Sequence, residues 1–273
     1  MRNAVMEFLA TLTPEQLPKA QLPFNSEERL NWHYVPKARQ GVCFKEMTPA
    51  QKEAALALLR ISVSQKGYEK VATIRTLETV LREIEQGSGP VRDPDLYYVT
   101  VFGDPAANDV WGWRFEGHHV SFHWTVVEGQ VIASTPQFLG ANPAEVRQGP
   151  LTGTRVLAAE EDLGRALVKS LDAAQQQEAI LSDTAPHDIL TAAQRKADIL
   201  EDRGIPYHRL TAEQQGLLMT LIQEIASVQI PERAEQRLAS VRQAGLDSVK
   251  FAWMGGLERG EGHYYRIQGT TFL

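Results

Sequence analysis

Hydrophobic positions along the chain change their period several times, and each change marks an expected element. In "AALALLRISVS", residues 54–64, and "YEKVATIRTLETVLREIEQG", residues 68–87, apolar side chains recur every three or four positions, the spacing of an amphipathic helix. Val71, Ile74, Leu77, Val80, Leu81 and Ile84 make the stripe of the second helix, and Gly87 is its expected stop. The period then shortens. "LYYVTVFG", residues 96–103, and "WGWRFEGHHVSFHW", residues 111–124, are rich in aromatic and β-branched residues, and "EGQ" around Gly129 reads as a turn into "VIASTP". Residues 96–135 are therefore expected to form three antiparallel strands. Helical spacing returns over residues 160–181 and 211–228, and again in "PERAEQRLASVRQAG", with Pro231 at its start and Gly245 past its end. "VKFAWMGG" and "HYYRIQGTTFL" predict a closing hairpin across the glycine-rich turn near Gly260. The opening "MRNAVMEFLATLTPEQLPKA" reads as an amphipathic helix rather than a secretion signal, because Glu7 interrupts its apolar run.

Helices, strands, helices and strands again give an α+β class rather than a βαβ alternation. The expected architecture is an antiparallel sheet built from the central His/Trp-rich strands and the C-terminal hairpin, with helices packed around it. One domain over residues 1–273 is expected. Its parts are a helical portion near 1–90, strands near 96–135, helices near 159–245 and a hairpin near 248–273. Four capping boxes, at Thr13, Thr48, Thr191 and Thr211, each place Gln three residues after Thr and mark helix starts. They need not imply a repeat, because the segments that follow them differ.

Composition narrows the function more than the fold. The 273 residues are 43% hydrophobic and 23% charged, with a formal net charge of -6 and one cysteine. The acidic balance and the absence of a Lys/Arg cluster argue against nucleic acid. No run approaches the length of a membrane span. Cys43 alone allows neither an internal disulfide nor a cysteine-pair zinc site. A soluble, cytoplasmic chain that handles a small molecule is the expectation, with self-association open.

The candidate chemistry lies in "WGWRFEGHHVSFHW". Read as one extended strand, Arg114, Glu116 and His118 share a face with Val120, Phe122 and Trp124, while His119, Ser121 and His123 lie on the other. Glu116 and His118, two apart, are close enough to meet on one divalent ion, with His119 joining if Gly117 bulges. Zinc, iron or manganese would suit such His and carboxylate ligands. The candidate catalytic residues are Arg114, Glu116, His118 and His119. Arg39, Trp111, Trp113 and His123 are candidates for holding substrate. Arg39 would offer its planar guanidinium to a carboxylate or phosphate. Ser121 lacks the sharp turn of a serine nucleophile. Against all this stand plainer readings: histidines bonded to backbone carbonyls, an Arg114–Glu116 ion pair, and His263 packed across strands.

Taken together, "NWHYVPKARQGVCFKEMTPAQ", "YYVTVFGDP", "WGWRFEGHHVSFHWTVVEG", "FLGANPAEVRQGPLTG", "VLAAEEDLGRALVKSLD" and "HYYRIQGTTFL" resemble the domain-of-unknown-function family numbered thirty-five hundred. "RFEGHH" is the most specific element, and the likeness covers nearly the whole chain. The resemblance implies shared architecture rather than a named activity. It marks Trp111, Trp113, Arg114, Glu116, His118 and His119, with Trp32, Pro36 and Arg39 upstream. The family pattern continues past the last strand with an acidic and a His-x-His segment, whereas this sequence ends at Leu273. Two functions are expected from these residues. One is a metal-dependent hydrolase, lyase or oxygenase acting on a small anionic substrate. The other is a non-catalytic binding protein with an aromatic-lined pocket.

Overall fold

The computed structural model describes residues 1–107, 109–197 and 201–273. The α+β class holds, but the chain divides into two compact units, Met1–Leu157 and Ala158–Leu273, where one domain was expected. Each has its own sheet, so the central strands and the terminal hairpin do not join.

In the first unit, α1 (Arg2–Ala10) turns Val5, Phe8 and Leu9 inward at helical spacing and packs on α3 (Pro49–Arg60). Between them come the single turn α2 (Leu17–Ala20) and the short strands β1 (Gln21–Leu22) and β2 (Val42–Cys43). Thr48 caps α3 through the expected box with Gln51, worth about 1 kcal/mol. α4 (Gln65–Glu85) buries Val71, Ile74, Leu77 and Leu81; Gln86 takes the left-handed conformation at its end, and Gly87 follows. The sheet then builds through β3 (Tyr97–Phe102), β4 (Val110–Gly117), β5 (Val120–Val127), β6 (Gln130–Ala133) and β7 (Gln137–Leu139). The strand order is β1-β3-β4-β5-β6, with β2 also pairing β3 and β7 also pairing β5. One face of β4 and β5 carries Trp111, Trp113, Phe115, Phe122 and Trp124, all buried, with Trp113 and Trp124 stacked at 4.2 Å. Burying each such ring contributes about 1.5–3 kcal/mol.

In the second unit, the expected helix over 160–181 is broken into α5 (Ala158–Ser170) and α6 (Ala173–Ala179), because Asp172 forms a capping box with Gln175. β8 (Ile180–Ser182), β9 (Ile205–Pro206), α7 (Ala212–Ala226), α8 (Pro231–Gln243), β10 (Lys250–Gly255) and β11 (His263–Gln268) complete it. Leu167 and Val168 of α5, Leu218, Leu221 and Ile222 of α7, and Phe251 and Trp253 of β10 belong to one buried cluster. Thr211 caps α7 as expected. Thr191 does not start a helix: Gln194 N–H donates to Thr191 O in an isolated turn. Among the described residues, no helix is long and apolar enough to cross a membrane.

Candidate functional site

The stretch from Trp111 to Trp124 is a hairpin rather than one strand, and its two-residue turn is His118-His119. Pairing is unbroken from Val110↔Val127 to Gly117↔Val120, so Gly117 makes no bulge. It is glycine for another reason: a Cβ there would lie 2.3 Å from the Tyr97 ring, which covers the strand at that point. Folding back brings opposite residues onto the same face. Arg114 stands across from His123 and Glu116 across from Ser121, so residues assigned to two faces of one strand share one buried polar face.

Glu116 is the centre of that face and is only 1% exposed. Its Oε1 accepts from Arg39 Nε at 2.6 Å; its Oε2 accepts from Ser121 Oγ at 2.7 Å and from the His33 N–H at 3.2 Å, with His123 Nε2 at 3.4 Å. Burial alone would raise its pKa, but the His123 hydrogen bond and the charges of Arg114 and Arg39 prevail and lower it to about 2. Burial, aided by Arg114, lowers His123, against the pull of Glu116. Ser121 gives its only proton to Glu116, so its oxygen accepts from His123 Nε2 at 3.1 Å. That direction is the reverse of a nucleophile activated by histidine. The three side chains form a closed cluster, not a relay.

The arginines are equally engaged. Besides Glu116, Arg39 donates to the carbonyls of Lys37, His33, Val35 and Gly117, tying the loop before β2 to the end of β4. Arg114, fully buried, donates to Glu28 Oε1 at 2.6 Å and to the carbonyls of Glu28, Asn31 and Gln40. Neither offers the unengaged cation expected for an anionic substrate. Trp111 and Trp113, expected to wall a pocket, are sealed in the core.

The turn has different surroundings. His118 Nδ1 is hydrogen-bonded to Glu78 of α4, the His118 carbonyl accepts from Tyr97 Oη at 2.7 Å, and Arg92, paired twice with Glu85, brings Nη1 to 3.4 Å from the same Nδ1. His119 adopts φ 61°, an uncommon conformation outside glycine, and its ring stacks on His118 at 3.8 Å. Its N–H donates to Tyr34 O, and its carbonyl accepts from Gly140 N. Rings gather nearby: half-buried Trp32 and Phe138 lie 6.1 Å apart, and buried Tyr34 stacks on Phe138 at 4.5 Å. A Cβ on Gly140 would lie 3.0 Å from the His119 ring and 3.2 Å from Phe138, so glycine there leaves room for both.

The proposed metal ligands thus have separate engagements: Glu116 with Arg39 and Ser121, His118 with Glu78, and His119 with the His118 ring. Among the described residues, no group of three or more His, Cys, Asp or Glu side chains is placed to hold a metal ion. An open groove of about 720 Å³ lies elsewhere in the first unit, lined by Pro14, Leu17, Pro18, Leu22, Pro23 and Phe24 among others, and touches none of the expected site residues.

Glu78 was not foreseen, yet the sequence carried its signal. It lies four residues after Ile74 and three before Leu81, a carboxylate on the apolar stripe of a helix. Phe138 and Gly140 had no such mark. No curated protein and no solved structure matches the chain. The model of the family described as "Protein of unknown function (DUF3500)" matches residues 1–273, and the chain belongs to that family.

Proposed function

We propose that the His118-His119 turn is the working surface of a small-molecule enzyme, with His118, backed by Glu78, as the group that exchanges a proton with the substrate. The observation that carries this reading is the Glu78–His118 hydrogen bond at Nδ1. A carboxylate on one ring nitrogen fixes the imidazole's orientation and leaves Nε2 as the nitrogen for proton transfer. The substrate side is supplied by His119 and the Trp32, Tyr34 and Phe138 rings, which favour a flat, weakly charged molecule. An anionic substrate has less support, since Arg39, Arg92 and Arg114 are each paired with a carboxylate. A divalent ion is not needed in this reading, and Glu116 becomes part of the frame.

The alternative, a non-catalytic binding protein, uses the same rings, and one experiment separates the two. A thermal-shift screen of small aryl and heteroaryl compounds would be followed by product analysis with the wild-type protein and with His118→Gln. A hit is expected to stabilise both proteins. Product formation should fall about 100-fold or more in the variant. Equal turnover in both would remove His118 from the chemistry. A ligand recovered unchanged from the wild type would leave binding without catalysis.

A further inference from the structure

We infer that the chain is an internal duplication: α1 through the His118-His119 turn, and α5 through Phe272, are two copies of one motif whose polar ties have been kept position by position. Among the described residues, the order of helices and strands is the same in both, apart from one 3-10 turn peculiar to each, Glu27–Leu30 in the first and Leu246–Ser248 in the second. A helix and a second short helix lead to a strand running parallel to the later central strand, β1 on β3 and β8 on β10. A two-residue strand then pairs antiparallel with that central strand, β2 on β3 and β9 on β10, and passes through a 3-10 turn into a capped helix. A second long helix follows, and then an antiparallel hairpin. "GVCFKEMTPAQ" from Gly41 and "GIPYHRLTAEQ" from Gly204 occupy the same place in the two copies and share Gly, Thr and Gln at the same spacing.

Similar topology can arise independently, so the weight falls on side chains that topology does not dictate. The capping glutamines of each copy form a reciprocal amide pair. Gln51 Nε2 donates to Gln16 Oε1 at 2.7 Å and Gln16 Nε2 lies 3.5 Å from Gln51 Oε1; the second copy has Gln214 to Gln175 at 2.9 Å and Gln175 to Gln214 at 2.8 Å. Each glutamine also donates to a matching carbonyl. Gln16 reaches Glu46 O as Gln175 reaches Arg209 O, and Gln51 reaches Thr11 O as Gln214 reaches Ser170 O. Gly41 and Gly204 have φ 117° and 126°, and a Cβ on either would strike a central-strand carbonyl, Val99 O at 2.7 Å or Phe251 O at 2.6 Å. The carbonyl before each glycine accepts from a buried arginine, Arg114 to Gln40 O and Arg266 to Arg203 O. Two residues on, Glu116 bonds Arg39 where Gln268 bonds Asp202.

Equivalence of that last pair assigns the Glu116–Arg39 contact to the frame. Gly117↔Val120 encloses His118-His119, and Gly269↔Phe272 encloses Thr270-Thr271. Counted from the helix caps Ser64 and Ile230, Ala244 stands where Glu78 does. Resting on the proposed function, this places the proton-transfer pair in the first copy alone.

Amide hydrogen exchange on the full chain tests the duplication without any ligand. Gln51→Glu and Gln214→Glu each keep the oxygen that completes the capping box but remove the amide that reaches the partner glutamine and the carbonyl. Each is expected to speed exchange about tenfold, one at residues 11–16 and 48–52, the other at residues 170–175 and 211–215. If either variant fails to fold, Gln16→Ala and Gln175→Ala remove the same pair from the less buried side. Mirrored responses support two copies of one device. A tenfold response in one unit with less than a twofold response in the other overturns it, as would two variants that both loosen the same unit.

Discussion

The His118-His119 turn and the Thr270-Thr271 turn close the same two-residue loop on the same framework, yet their surroundings differ in kind. Thr270 and Thr271 are exposed, whereas His118 is buried against Glu78 and His119 is half-buried over it. Behind both turns, a buried arginine grips the carbonyl before a left-handed glycine. A fully buried cation in a cluster of polar residues suggests catalysis on first sight. Its counterpart in the second unit, where no histidine follows, argues that such a cation can serve the backbone alone. The comparison therefore separates residues that hold the fold from residues that are free to differ, and the latter are where chemistry is to be sought.

The sharpest way to break this comparison is to remove both arginines in turn. Arg114→Met takes the cation away from the Glu28 carboxylate and the donor away from the Asn31 carbonyl, while Asn31 N–H and Thr100 Oγ still donate to the Glu28 and Gln40 carbonyls, and should cost about 3–5 kcal/mol in denaturant unfolding. Arg266→Met leaves carbonyls only and should cost about 1–3 kcal/mol. A larger loss at Arg266 would contradict the shared role. Next in size is the response to acid. Glu116 has a folded pKa lowered to about 2 from 4.5, so its stabilisation is complete above pH 4.5 and is lost as pH falls towards 2. This amounts to about 3 kcal/mol. His123, also lowered, adds a loss that begins below pH 6.5. Glu116→Gln, which makes the first unit resemble Gln268 of the second, should abolish the lower part of that slope; urea midpoints measured from pH 7 to pH 2.5 would reveal it. The smallest contrast concerns glycine. Gly117→Ala meets the buried Tyr97 ring at 2.3 Å and should cost about 1–3 kcal/mol. Gly269→Ala meets Phe272, a half-exposed side chain able to swing away, and should cost less than about 1 kcal/mol. Thermal midpoints of the two variants would rank them.

Elements were legible wherever one period ran long enough. The stripe from Val71 to Leu81 and the aromatic run from Tyr97 to Phe102 appear as α4 and β3. The hairpin turn at His118-His119 was not legible, because two histidines carry none of the Asn-Gly or Gly-Gly chemistry that marks such turns. It forms because Tyr97 Oη, Tyr34 O and Gly140 N, all distant in sequence, hold its backbone. Missing the turn put Glu116 and Ser121 on opposite faces and so hid the closed cluster. Arg39 shows a further limit. Its charge suggested a ligand clamp, but five neighbouring acceptors, most of them carbonyls from a loop without periodicity, decide its role. The duplication is hidden in the sequence because Asp172 stands in place of Thr in one capping box, while Thr191 imitates a box although residues 192–197 form no helix.

The reciprocal glutamine pairs carry one more implication. A carboxamide does not titrate, so neither clasp feels the protonation that dismantles the Glu116 corner. Acid strong enough to approach pH 2 should therefore yield a partly opened species in which the tip of the β4–β5 ribbon has frayed while the helical starts at Thr48 and Thr211 stay locked. Far-ultraviolet dichroism would persist through the stage at which tryptophan emission has already shifted.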